Sequence, residues 1–131
     1  MLGAWLGGCA LAPLPAGARA VHAFQVETYL GNRFSGYGST REACDARRAA
    51  ERALERSTAP ERGPFQRTTV VSSCRAAGLA EGGYTWAVEA AEGWGVVMPS
   101  GALCDAMRES LAALEPAARL GSCRPVTLTP R

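Results

Sequence analysis

Four cysteines, Cys44, Cys74, Cys104 and Cys123, are the side chains of this chain whose spacing most plainly implies chemistry. Cys44 opens Cys44-Asp45-Ala46-x-Arg48, and Cys104 opens Cys104-Asp105-Ala106-x-Arg108; the other two sit in Ser73-Cys74-Arg75 and Ser122-Cys123-Arg124. A thiol can ligate a metal, attack an electrophile or close a disulfide. Structural metal sites draw their ligands from closely spaced pairs, and the chain has no Cys-x-x-Cys. An even set in a small exported chain reads instead as two disulfides. A bond within each half, Cys44–Cys74 and Cys104–Cys123, would staple a helix to its own following strand; the two other pairings stay open.

Carboxylates offer a second chemistry. Phe24-x-Val26-Glu27 and Trp86-x-Val88-Glu89 put Glu27 and Glu89 at matching places. If their strands are neighbours, the pair would share protons, hold a cation or act as acid and base. The plainer reading is a solvated sheet face, since charged strand positions are usually exposed. The run Gly31 to Ser39 is glycine-rich, carries Arg33 and Tyr37 and ends at a helix start, where free amides favour an anion; Arg33, Ser39 and Arg41 are its candidate partners. Against that, Ser39 and Glu42 form a capping box that already satisfies such amides. Tyr29, Tyr37 and Trp94 are candidates for an exposed aromatic patch facing a glycan or a protein. A nucleophilic enzyme is hard to assemble: His22 is the only histidine, and Asp45 and Asp105 the only aspartates. The expectation is therefore no enzyme, no metal and no cofactor.

Composition bounds the rest. The chain has 131 residues, suited to one domain, with 47% hydrophobic and 20% charged residues. All 14 basic residues are arginine, which we attribute to GC-rich codon usage. A formal net charge of +2, with arginines interleaved among acids, does not imply nucleic acid. Residues 1–20 contain no acid and one base, Arg19, and Ala18-Arg19-Ala20 fits a cleavage site for an export signal. Leu6-Gly7-Gly8-Cys9 resembles a lipobox, so lipidation of Cys9 is the alternative. Either event removes Cys9 from the pairing pool. Cleavage also removes Arg19, leaving 13 of the 14 arginines against 12 acids. The apolar stretch is too short and broken to span a membrane in the mature protein.

The elements that would position these groups follow from periodicity. Residues 22–30 alternate, with His22, Phe24, Val26, Thr28 and Leu30 on one face, and Gly31-Asn32 is a hairpin signal returning through Arg33 to Tyr37. A helix from Ser39 to about Ser57 has an alanine stripe (Ala43, Ala46, Ala50, Ala53) with Leu54; Arg47, Arg48, Glu51, Arg52 and Glu55 form its outer face. Phe65 to Cys74 reads as a strand and Ala76 to Gly83 as a linker. The plan then repeats: Tyr84 to Ala90, a turn at Glu92-Gly93, Trp94 to Met98, and a helix from Pro99-Ser100 with Leu103, Met107, Leu111 and Leu114 inward. Cys123 to Thr129 ends the chain as an edge strand, because Pro125 lies within it. The expected fold is α+β: two related β-hairpin–helix–strand halves, 22–75 and 84–129 of a domain 21–131, share one sheet with both helices on one face. A ferredoxin-like βαββαβ order is the alternative if the hairpin returns are only loops.

The layout Phe24-x-Val26 and then an alanine-rich helix, repeated from Trp86-x-Val88, resembles the SPOR domains that bind bacterial cell-wall glycan. The cysteine placement and the duplicated Cys-Asp-Ala-x-Arg depart from them. The resemblance implies a glycan-binding module. The residues themselves point to a small exported bacterial domain, periplasmic or secreted, with a binding, inhibitory or structural role. Its partner would be another envelope protein or a glycan.

Overall fold

The computed structural model describes residues 11–131. Cys9 and residues 1–10 of the expected leader lie outside the described residues. The fold is mixed α+β: a sheet closes into a small barrel, flanked by two short helices. The elements are β1 (Arg19–Glu27), β2 (Arg33–Gly38), α1 (Arg41–Ala53), a 3₁₀ segment (Pro60–Phe65), β3 (Thr69–Val70), β4 (Arg75–Ala90), β5 (Trp94–Met98), α2 (Gly101–Leu114) and β6 (Arg124–Pro130). Both hairpin returns are strands, so the ferredoxin-like alternative has no support. The first turn closes through Thr28, whose carbonyl accepts from the Gly31 amide at 2.9 Å and whose amide donates to the Asn32 carbonyl at 2.8 Å.

Antiparallel pairing makes a ring: β1 with β2, β2 with β5, β5 with β4, and β4 back to β1. β3 and β6 lie outside it, at the two ends of the strand order. The expected linker Ala76–Gly83 is in fact the first half of the 16-residue β4. Its glycines make a bulge rather than a loop. Gly82 and Gly83 take φ of 89° and 128°, a region that side chains with a Cβ rarely enter, and the register against β6 shifts between Glu81 and Thr85. The strand thereby changes neighbours. Its first half pairs with β1, its second half with β5, and β6 runs along both. Of the strand expected over Phe65–Cys74, only Thr69–Val70 pairs, after a 3₁₀ segment containing Pro60 and Pro64, which lack amide donors.

Closing the sheet buries both of its faces. Val21, Ala23, Tyr37, Leu79, Ala87, Val97 and Val126 fill the lumen. On the outside, Phe24, Val26, Phe34, Val88, Val96 and Met98 pack against Cys44 of α1 and Cys104, Met107 and Leu111 of α2. β1 is therefore not the half-exposed strand its alternation suggested, because residues of both parities are buried. Two glycines permit the close packing. A Cβ at Gly36 would collide with the Phe24 ring, and one at Gly38 with the backbone of Ala43 and Cys44.

The first helix differs most from expectation. It is capped by Thr40, whose Oγ1 accepts from the Ala43 amide at 3.0 Å, whereas the Ser39 amide donates to the Gly93 carbonyl. It ends at Ala53, and its buried residues are Cys44, Arg47 and Glu51, not the alanines. The spacing of those three also makes one helical stripe, and Arg47 and Glu51 contribute long side chains to it. Glu51 lies between two guanidiniums, at 3.3 Å from Arg62 and 3.6 Å from Arg47. Arg62 is fully buried in the 3₁₀ segment and also donates to Thr68 at 3.2 Å. Arg47 stacks 4.4 Å above the Trp94 ring and pairs with Glu115, just past the end of α2, at 2.7 Å.

Disulfides join Cys44 to Cys74 and Cys104 to Cys123, closing spans of 30 and 19 residues. From loop length, opening either by paired Cys→Ala substitution costs about 3–4 kcal/mol, slightly more for the longer span; urea titration of each two-residue variant checks this. Glu51→Gln leaves the buried Arg62 without a carboxylate and Arg47 with Glu115 alone, and is expected to cost about 3–5 kcal/mol. Arg52→Gln, on the exposed face of the same helix, changes the urea midpoint little. Equal, small losses from both would show the buried pairing to be unimportant.

Candidate functional site

Strand alternation sends one set of side chains into the lumen, and its two ends differ in character. At one end Glu89 gathers charge. Tyr37 donates its hydroxyl to Glu89 Oε1 at 2.6 Å, Arg19 donates to the same oxygen, and Arg124 lies 3.5 Å from it. Arg124 also pairs with Glu81 at 2.9 Å. Gly95, opposite Glu89 in the β4–β5 register, leaves room for this: a Cβ there would sit 2.5 Å from the Tyr37 hydroxyl. Partial burial pulls the Glu89 carboxyl up. The hydrogen bonds from Tyr37 and Arg19 and the charges of Arg19 and Arg124 outweigh it and hold the group below its ordinary value. Burial, then the hydrogen bond to the Glu89 carboxylate, pushes the Tyr37 phenol well above its usual range, so it stays a neutral donor. The cluster is mutually satisfied and closes its end of the barrel.

The other end is open. A cavity of about 520 Å³ reaches in between the first half of β4, the β1–β2 hairpin and the end of β5. Ala23, Ala77, Val97, Met98 and Leu128 give it an apolar wall; Gln25, Ser35 and Ser72 give one polar flank, and Arg33 and Arg75 also line it. The flank is ordered. Gln25 Nε2 donates to Ser35 Oγ at 2.8 Å, and Ser72 Oγ accepts from the Gln25 amide at 2.8 Å. Cys74, between Ser72 and Arg75, is tied to α1 by its disulfide, which fixes the strand entry.

The sequence candidates separate accordingly. Glu27 and Glu89 have different partners, because β1 and β4 pair only over 19–23 and 75–79, away from both. Glu27 instead faces Arg33 at 3.3 Å. Arg41 reaches Asp45 at 3.9 Å, and Ser39 is exposed beside the helix start that Thr40 caps. Tyr37 is buried and Trp94 lies beneath Arg47, so the three aromatics do not share one surface; Tyr29 is exposed, with Arg67 5.9 Å from its ring. Of the earlier candidates only Arg33 lines the cavity. Gln25, Ser35, Ser72 and Arg75 were missed. The alternation of Ala23, Gln25 and Glu27 does put polar groups on the lumen face, but nothing local shows that this face is enclosed. Among the described residues no three His, Cys, Asp or Glu side chains gather as a metal site needs, and no helix is long and apolar enough to cross a membrane.

Comparison with protein-family models, with curated proteins and with solved structures finds no match to this chain.

The Glu89 cluster gives a signed pH dependence. A carboxyl held below its unfolded value adds stability at pH above the unfolded value, ordinarily near 4.5, and loses it as pH falls through the folded value. Acid titration of the urea midpoint below that pH is expected to be shallower in Glu89→Gln than in the parent chain. In Tyr37→Phe the Glu89 carboxyl, followed by NMR, is expected to titrate at higher pH. An unmoved titration would show that the phenol does not hold the charge.

Proposed function

We propose that this protein is a non-enzymatic binding domain, exported from a bacterial cell, that takes a small molecule into the open mouth of its barrel. The cavity carries the reading. Its volume lies within the range of small-molecule sites, its walls are mostly apolar and its polar groups converge on one flank, as such sites are built. Two disulfides are compatible with an oxidising compartment outside the cytoplasm. Cleavage after Ala20 would take Arg19 away from Glu89, whereas lipidation at Cys9 would keep it. A purely structural or inhibitory role needs no such cavity. Of the three aromatics offered for a cell-wall glycan, Tyr37 is buried and Trp94 lies beneath Arg47, which leaves Tyr29; the exposed Tyr84 lies apart from it on β4.

The duplication belongs to the same proposal. Each half, 22–75 and 84–129, holds a hairpin, a helix with a Cys-Asp-Ala-x-Arg start, and a cysteine bonded back to that helix. We read the halves as copies of one unit, with the bulge near residue 83 inside β4 as the join.

A fragment screen by methyl NMR tests the binding reading. Binders are expected to move the methyls of Ala23, Val97 and Leu128. Leu128→Trp, which fills the mouth from the outlying strand β6, is expected to weaken them at least tenfold. Fragments that leave those methyls unmoved, or bind Leu128→Trp as well as the parent, would remove the cavity as the site.

A further inference from the structure

We propose that the ligand of the barrel mouth is a small carboxylate with an apolar body, and that Arg75 is its counter-charge; this inference rests on the binding reading above. The residues lining the cavity include two arginines and no acid. The two arginines are not equivalent. Arg33 faces the Glu27 carboxylate at 3.3 Å. Arg75 is exposed and has no ion pair and no side-chain hydrogen bond among the described residues; its backbone opens β4, opposite Ala23 in register and directly after the disulfide-bonded Cys74. A cation with no partner is thus held on rigid backbone at the edge of an apolar cavity.

The polar flank has the matching sense. Ser35 Oγ accepts from Gln25 Nε2, and its own proton is uncommitted among the described hydrogen bonds. It can donate to an anion, as the guanidinium can in its planar fork geometry. The rest of the wall, with Ala23, Ala77, Val97 and Leu128, is hydrocarbon, and the Thr85 hydroxyl that also lines the cavity is committed to the Val126 carbonyl at 2.7 Å, so the rest of the ligand must be apolar. A cationic ligand would meet two arginines and no carboxylate. A sugar would leave most of its hydroxyls against hydrocarbon, each short of a hydrogen bond.

The experiment uses matched pairs on the full chain: octanoate against octanamide, and 2-naphthoate against 2-naphthamide, titrated by methyl NMR. At least one carboxylate is expected to move the signals of Ala77, Val97 and Leu128 and to bind about tenfold more tightly than its amide, the scale of one hydrogen bond to a charged group. In Arg75→Gln that difference is expected to collapse, with the urea midpoint unchanged because Arg75 holds nothing in place; Arg33→Gln is expected to matter less. Amides binding at the mouth as tightly as the acids would overturn the carboxylate class and leave the binding reading standing. If no probe moves those methyls, the carboxylate proposal fails, and the fragment screen decides the binding reading separately. Carboxylate shifts that persist unchanged in Arg75→Gln would overturn the role of that arginine.

Discussion

β4 has to serve two neighbours, and the closed sheet depends on its doing so. A strand in a flat sheet has one partner on each side, and a sheet of this size would leave its edges open to other chains. Here sixteen residues with a bulge turn one strand from β1 to β5, and the ring β1–β2–β5–β4 needs no further strand to close. The bulge in turn depends on Gly82 and Gly83, whose positive φ values would strain any other residue. Everything that makes a site possible follows from that closure. Only a closed sheet has an inside, and only an inside can bury a second set of side chains as well as the set under the helices.

The cost of closure is met on the outer face. Each helix must sit close over a curved surface, and α1 has mostly alanine with which to do it. A buried carboxylate between two arginines replaces the missing hydrocarbon. The stems of Arg47 and Arg62 supply volume, Glu51 and Glu115 together balance their charges, and the Trp94 ring takes one guanidinium face. Such an arrangement is a weak source of net stability, because desolvation cancels much of the attraction. It is specific, however. Arg47 also reaches Glu115, just past the end of α2, so the network joins the helices across the two hairpins. The disulfides act differently, limiting the unfolded chain and tying each helix to the backbone that follows it.

The local elements were legible in the sequence to the extent that local signals decide them. The Gly31-Asn32 turn, the helix opened by Ser100 and the proline-bearing edge strand follow from backbone chemistry within a few residues. The errors share one cause. Ala76–Gly83 reads as a linker because three of its residues are glycines, and no local pattern announces that those glycines bend a strand instead of ending it. Arg47 and Glu51 read as a solvent face because charge is normally exposed. Their burial depends on Arg62, which lies beyond the helix in the 3₁₀ segment and is itself buried because that segment packs against α2. The cavity was out of reach for a similar reason. Ala23, Gln25 and Ser35 line a site only because Arg75 and Leu128, distant in sequence, are brought against them when the ring closes.

The two ends of the lumen show why the cavity lies where it does. Where Arg19, Tyr37, Arg124 and Glu89 meet, every charge has a partner, and the large phenol fills the space that Gly95 leaves. Two residues further along the same strands, Tyr37 gives way to Ser35 and Glu89 to Ala87, while β5 exchanges Gly95 for Val97. The phenol and the carboxylate are replaced by a hydroxymethyl and a methyl, and Val97 restores only part of that volume. The long side chains at that end, Arg33 and Arg75, would carry a charge into an apolar wall if they turned inward, which desolvation opposes unless an anion is present to meet them. The open mouth is therefore a consequence of which residues alternate inward at each level of the barrel. A ligand that supplies both hydrocarbon and negative charge would complete that end as Tyr37 and Glu89 complete the other.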